Sequence, residues 1–493
     1  MRLSDVLPPE ISISSGEGAV EVVGITAASA AAAPGIIFAA LPGAKTDGAK
    51  FIPDAVNRGS KVVVTGKGKA SNVPPGVTLI EVENPRRALA LIAARFAGRQ
   101  PKCAVAVTGT SGKTSVAEFT RQIFTALGRR SASVGTIGVV KPDGAVYGSL
   151  TTPDPVTLHA MLAGLADEGI THLAFEASSH GLDQHRLDGV ELTAAAFTNL
   201  GRDHMDYHPT VDDYFSAKMR LFTQLLEPGQ AAVINSDGDF AQSVIEACTL
   251  RGLRVMSVGS KGETLHLRNV TRDGFAQLLS IDVDGASHTV RLPLVGAYQV
   301  ENALVAAGLA IAAGENSSQV ISALASLKGV PGRLDIVGEA HGGLAIVDYA
   351  HKPEALSAAL AACRPFVSGK LICVFGCGGD RDKGKRPIMG RIAAEKADVV
   401  IVTDDNPRTE NPAAIRTEIL AGAAGAREIG NRAEAIIRAV SMMGVGDVVL
   451  VAGKGHETGQ IVGNRVLPFS DHDELRRAIE SLGPHDIAAV DLG

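Results

Sequence analysis

Tryptophan is absent, and aromatic residues make up only 4% of the 493 positions. Alanine and 55 glycines occupy the sequence instead. Small side chains at that density suit closely packed α/β layers. Charge of one sign is also missing. The formal net charge of -6 lacks the basic excess of a nucleic-acid-binding domain. Cysteine is sparse: Cys103, Cys248, Cys363, Cys373 and Cys377 are scattered, and only the pair at 373 and 377 is close. No His/Cys cluster at zinc spacing accompanies them, so reduced, buried thiols are expected. No window reaches the roughly 18 apolar residues of a membrane helix. The start, MRLSDVLPPEISI, lacks the basic and apolar regions of a signal peptide. A cytoplasmic protein with no membrane insertion is expected.

What is present alternates. Residues 1–99 hold short strand-like runs punctuated by Gly and Pro. Residues 100–328 open with a strand, a Gly-rich turn and an amphipathic helix, then repeat strand and helix signals. Residues 329–493 alternate again, through LAIVDYA, KLICVFGCGG, DVVIVT and DVVLVAGKG. The pattern predicts an α/β protein of three domains: a small N-terminal α/β domain, a central P-loop ATPase-like domain with a mainly parallel sheet, and a C-terminal Rossmann-like domain.

The strongest motif is VAVTGTSGKTS. The run Gly109, Thr110, Ser111, Gly112, Lys113, Thr114, Ser115 lets backbone N–H groups curl around phosphate oxygens, and the following helix aims its N-terminus at the same charge. Lys113 can reach the β/γ-phosphates, and the Thr114 hydroxyl can bind Mg²⁺. Val107 stands where the general pattern has its first glycine. A nucleoside triphosphate is expected. Glu176, ending a strand beside this loop, is a natural Mg²⁺ ligand. The stretch TNLGRDHMDYH carries Asp203, His204, Asp206 and His208. For Asp206 and His208 a solvated acidic loop is an equally good reading. Lys218 sits in a helical pattern, where spacing alone reads as a surface lysine.

In order, the chain presents TGTSGKTS, EASSHGL, TNLGRDHMDYH, YFSAKMRLF, VENALVA, VPGRLDIV, VDYAHKPEAL, FGCGGDRDKGKRP, DDNPR and GKGHE. This series resembles the Mur ligase family, ATP-dependent amide ligases of bacterial peptidoglycan synthesis, over nearly the whole chain. TTPDP, SSHGLDQHR and GCGGDRDKGKRP point to the member that adds the third stem residue. The resemblance implies that ATP phosphorylates the terminal carboxylate of UDP-N-acetylmuramoyl-L-alanyl-D-glutamate and that an incoming amine displaces phosphate. It implies that Lys113, Lys218 and His204 are catalytic. It implies that Thr114, Glu176, His204 and Lys218 serve Mg²⁺, with Lys218 carbamylated to N6-carboxylysine. Asn302, Arg333, Asp348 and His351 fall at positions that hold ATP. Thr151, Thr152, Ser178, Gln184 and Arg186 match residues that grip the muramoyl dipeptide. In the N-terminal block, LPGAKTDGAKFIPDAVNRG matches the family's uridine-binding domain. The family's Asp-Ser-Arg is here reduced to Ser29 between Ala28 and Ala30, so Ser29 is assigned to the UDP site without those ionic partners. A monomer is expected.

The third amino acid is read from TDDNPRTENP. In members with Asp-Asn-Pro-Arg it is meso-diaminopimelate, whose distal head carries both ammonium and carboxylate. Arg408 can fork onto that carboxylate. Asp405, Asn406 and Glu457 offer acceptors to the ammonium, and Pro407 stiffens the loop. Arg381 and Gly453 match further contacts. An alternative reading makes the loop a turn in which Arg408 pairs with Asp404 or Asp405. An L-lysine-adding ligase and a folylpolyglutamate-synthetase-like ligase are the competing activities.

Overall fold

A computed structural model describes residues 1–43, 46–70, 73–146, 151–201 and 203–481, with the side chains of 145 and 146 outside the description. Ala44 and Lys45 of the LPGAKTDG run lie outside it. The chain divides into two compact units. One comprises Met1–His266 with Leu304–Val320, and the other Leu267–Ala303 with Ile321–Gly493. The fold is mixed α/β with mostly parallel sheets, as expected.

The first unit holds two sheets. Strands Gly24–Thr26, Ile36–Ala40, Val62–Gly66 and Thr78–Val82 pair in sequence order, all parallel. The helix Pro85–Ala97 follows, opened by the Asn84 side chain accepting from Arg87 N–H and closed by left-handed Gly98. In the second sheet, Cys103–Thr108 is buried at every position, as a central parallel strand must be. Its parallel neighbours are His172–Glu176 and Ala194–Phe197, with Ser131–Gly135 beyond one and Ala231–Asn235 and Arg254–Gly259 beyond the other. Register pairs Val107 with Glu176 and Thr108 with Phe197. The phosphate loop, Glu176 and Thr198 therefore leave the sheet along one carboxyl edge, where ligands of open α/β sheets bind.

In the second unit, a six-stranded sheet runs Asp335–Ala340, Gly343–Asp348, Val448–Ala452, Leu371–Phe375, Val399–Val402, Arg427–Glu428. It is parallel apart from its first, antiparallel, edge strand. Asp348 and Phe375 both register with Ala452, and Phe375 with Val402. The segments after Asp348, Phe375, Val402 and Ala452 thus emerge together. A long hairpin, Ala276–Val283 with Ala286–Leu292, and a short one, Gly459–Val462 with Arg465–Pro468, complete this unit.

All five cysteines are free and buried. No helix among the described residues is long and apolar enough to cross a membrane.

Candidate active site

The phosphate loop is tied to the end of the neighbouring strand. Thr110 N–H donates to the Asn199 carbonyl (2.9 Å), Ser111 N–H to Asn199 Oδ1 (3.0 Å), and the Thr198 hydroxyl to the Ser111 carbonyl (2.7 Å). Two lysines converge on one oxygen of this loop. Lys113 Nζ donates to the carbonyls of Gly109 and Thr110, both at 2.9 Å. Lys218 Nζ reaches the same Gly109 carbonyl at 2.7 Å. Lys218 is only 1% exposed, which corrects the surface reading that its helical spacing suggested. Burial, then the nearby Lys113, pushes its pKa well below the ordinary lysine value. One turn earlier, the Tyr214 ring lies 4.1 Å from Lys218 Nζ, and its hydroxyl donates to Thr110 Oγ1 at 3.2 Å. Burial raises that phenol to about 12.

Glu176 is 2% exposed. One oxygen accepts Thr136 N–H at 2.7 Å and the other the Thr136 hydroxyl at 3.3 Å. Among the described residues no lysine or arginine lies within ion-pair distance of it. A Cβ at Gly135 would overlap its carboxylate, so the adjacent strand can pass only as glycine. A buried carboxylate without a basic neighbour is unfavourable alone. It is a donor of the type a hard divalent cation takes, and the buried Thr114 hydroxyl is another. The residues present therefore fit Mg²⁺ in donor chemistry. No ready cage of three or more His, Cys, Asp or Glu gathers among the described residues. His204 is exposed, at φ +55°, with its ring 6.1 Å from that of Tyr214. Asp206 is exposed, whereas His208 is buried against Tyr207 and Tyr214. The two residues left open by sequence thus divide.

Four of the expected dipeptide residues interlock. The Thr152 hydroxyl donates to the Glu176 carbonyl (3.1 Å) and lies 3.0 Å from that of Ser178. Arg186 donates to the Thr152 carbonyl (2.6 Å) and to Gln184 Oε1 (2.8 Å). Thr151 joins them through Thr136, hydroxyl to hydroxyl at 3.0 Å. Ser29 stands elsewhere in the unit, starting a short 3-10 turn. Its hydroxyl, and then Arg58, hold the Asp54 carboxylate below its usual range.

In the second unit, Asp348 accepts the backbone N–H of Leu334 and of Ala350, both at 2.8 Å. Burial nevertheless raises its pKa to about 6. Arg333 lies over the Tyr349 ring at 5.2 Å. Its carbonyl accepts from Gln299, whose side-chain oxygen accepts from Asn302 (2.8 and 3.0 Å). His351 Nδ1–H donates to the Tyr349 carbonyl (2.9 Å), and burial lowers its pKa.

The loop after Val402 is more built than its sequence suggested. Arg408 has φ +51°. Its guanidinium donates to the carbonyl of Gly379 (2.9 Å), with that of Asn406 at 3.5 Å. It pairs with neither Asp404 nor Asp405. Asp404 pairs with Arg416. Asp405 is buried, and desolvation raises its pKa against the pull of Arg432 and Lys454. The Asn406 side-chain oxygen accepts from Lys454 Nζ (3.1 Å) and Ile461 N–H (2.9 Å), and Lys454 Nζ also pairs with Glu457 (3.0 Å). The Asn406 amide donates to Glu457 (2.9 Å). Glu457 is the acceptor of the three whose side chain is partly open to solvent, at 33%. Arg381 is exposed. Gly453 follows the central strand and donates its N–H to the Asp348 carbonyl (3.1 Å). Pro407 is buried and touches the 377–380 turn, which comes so close that a Cβ on Gly379 would overlap the Pro407 carbonyl.

Sequence reasoning missed three buried cations here. Arg386 is fully buried and bridges Glu410 and Glu418 (2.9 Å each). That contact is the leading cause of the Glu410 pKa falling to about 2. Arg432 forks onto Asp471 at 2.7 Å, both fully buried. Lys454 is the third. Two of them stand in quoted motifs, GGDRDKGKRP and GKGHE. The partners of Arg386 lie far along the chain, and Lys454 joins distant Asn406 to Glu457 of its own motif, at 3.1 and 3.0 Å.

A phosphate loop at one sheet edge and a second α/β unit with an acidic–arginine loop define an ATP-using ligase of the type that activates a carboxylate. The chain matches the Mur ligase family's catalytic domain over residues 21–97, its middle domain over 107–310 and its glutamate ligase domain over 332–455. It is 56% identical over 98% of its length to the UDP-N-acetylmuramoyl-L-alanyl-D-glutamate--2,6-diaminopimelate ligase of Bradyrhizobium diazoefficiens, covering 99% of that protein. It is 58% identical over 95% to the enzyme of the same name from Brucella melitensis, covering 96% of it. A solved structure of a ligase with this name superposes with a TM-score of 0.74 at 31% identity, covering 98% of this chain and 99% of that one. The chain belongs to the Mur ligase family.

Proposed function

We propose that the chain is an ATP-dependent ligase that joins meso-2,6-diaminopimelate to UDP-N-acetylmuramoyl-L-alanyl-D-glutamate through an acyl phosphate, in a cytoplasmic, monomeric form. The relatives at 56 and 58% identity support the activity. The geometric observation that carries it is Arg408, a cation held by backbone carbonyls rather than by a carboxylate. Tyr349 feels Glu457, Asp405 and Arg408 together, so opposite charges are gathered at one sheet edge. That suits a zwitterion, with Arg408 taking its carboxylate and Glu457 its ammonium. Arg381, Pro407 and Gly453 complete the assigned contacts, while Asp405 and Asn406 orient the loop and Glu457.

In the first unit, residues Gly109–Ser115 receive the nucleotide phosphates, and Lys113 exchanges loop carbonyls for phosphate oxygens. Burial shifts Lys218 towards the neutral amine, the nucleophilic form of lysine, so Lys218 is suited to take up CO₂ as a carbamate. Thr114, Glu176, His204 and carbamylated Lys218 would hold Mg²⁺, which when bound neutralises phosphate charge. Thr151, Thr152, Ser178, Gln184 and Arg186 hold the dipeptide, and Ser29 the uridine. In the second unit, Asn302, Arg333, Asp348 and His351 are assigned to the nucleotide. The domain limits 1–99, 100–328 and 329–493 go with this reading. A substrate panel tests it: phosphate release should need ATP, the UDP-dipeptide and meso-diaminopimelate together. Equal turnover with L-lysine removes the assignment.

A further inference from the structure

The hairpin Gly459–Val462 with Arg465–Pro468 has no part in the site so far. Its outer strand is exposed at all four positions, so it adds little to the core. Yet it is stitched to the loop that carries Arg408 by four bonds. Gln460 Nε2 donates to the Asp405 carbonyl (2.7 Å), and Ile461 N–H to Asn406 Oδ1 (2.9 Å). Arg408 N–H donates to the Ile461 carbonyl (3.0 Å), and Gly463 N–H to the Arg408 carbonyl (2.7 Å). The last two grip both polar groups of a residue whose φ of +51° is unfavourable for any side chain but glycine. A non-glycine residue stays there only when its surroundings enforce it. The φ value directs the side chain, and here it delivers the guanidinium to the Gly379 carbonyl.

We propose that this hairpin is the positioning element for the third amino acid. It holds the Arg408 backbone in its left-handed conformation and so aims the guanidinium, with Gln460 and Gly463 as the acting residues. The inference rests on the reading that Arg408 meets the distal carboxylate of diaminopimelate. Gln460→Ala removes the donor to Asp405, and Gly463→Pro removes the donor to Arg408 while also forbidding the φ of +57° that the turn takes at Gly463. Steady-state kinetics should show the KM for diaminopimelate rising about fivefold in Gln460→Ala, the scale of one lost neutral hydrogen bond, and by more in Gly463→Pro, which also loses the turn. Its preference over L-lysine should fall, while KM for ATP and for the UDP-dipeptide stays within about twofold. Equal rises for all three substrates, or none, overturn the proposal. If Gly463→Pro loses its cooperative melt, Gln460→Ala decides alone. A wild-type enzyme that uses diaminopimelate while Gln460→Ala keeps its KM defeats the hairpin proposal only. A wild type that ignores diaminopimelate defeats the assigned function with it.

Discussion

The two units handle positive charge in opposite ways. In the first, Lys113 and Lys218 bring two side-chain nitrogens to one carbonyl oxygen, and burial favours the neutral form of Lys218. In the second, Arg386 and Arg432 are buried but keep their charge on carboxylate partners, while Arg408 is set apart on carbonyls. Lysine can give up its proton and become a nucleophile, whereas arginine cannot. On the proposed function, the lysine is the residue open to modification and the arginine the one that reads a carboxylate.

The contrast breaks most visibly at Lys218. Lys218→Met should lower kcat by about 10³-fold, the scale of losing a major electrostatic contribution to the transition state, with diaminopimelate binding by calorimetry unchanged. Weakened diaminopimelate binding would show that the lysine also serves the second unit. Next in size is Arg386→Ala, which strands Glu410 and Glu418. Both carboxylates reach solvent, with side chains 18 and 41% exposed, so the loss falls below that of breaking a fully buried pair. Hydrogen exchange should rise in the 371–452 sheet and stay unchanged in the 103–259 sheet. Arg408→Lys should cost about 2 kcal/mol in kcat/KM for diaminopimelate, since a point charge replaces a fork, with KM for ATP unmoved. A parallel rise in the ATP value would make the loop structural.

The smallest effect is a pH dependence. Asp348 ionises near 6 in the folded chain against 3.8 normally. Between those values the folded state holds a proton that the unfolded state has released, so stability falls as pH rises from about 4 to 6 and levels off above. Asp348→Asn removes that slope. Urea midpoints at pH 4.5 and 7 in both proteins should therefore differ by more in wild type. An identical difference would mean that Asp348 is ionised throughout.

Much of this was readable in sequence where the signal is local. The apolar run before Gly109, the Gly-Lys-Thr turn and the β-branched strand before Asp404 each announce themselves within a dozen residues, and each forms as expected. Lys218 was not readable, because its helix is amphipathic by spacing and only the packing of Tyr214 and the phosphate loop buries it. Arg386 and Arg432 take their meaning from partners brought close by the fold, and Lys454 does so in part, through Asn406. The short hairpin did leave a trace: GQIVGNRVLP sets Gly463 and Asn464 between two short apolar runs, a two-residue turn signal. Within AVEVVGIT the strand is confined to Gly24–Thr26, and Glu21 adds an isolated antiparallel bridge to Arg2.

The five thiols carry a practical consequence. Burial raises the pKa of each, with Cys248, Cys373 and Cys377 reaching about 12. At neutral pH they stay protonated and shielded, so an alkylating reagent can reach them only when the surrounding structure opens. Cys103 and Cys248 lie in one unit, and Cys363, Cys373 and Cys377 in the other. The chain thus carries two native clocks, whose labelling rates time the opening of each unit separately with no foreign probe installed.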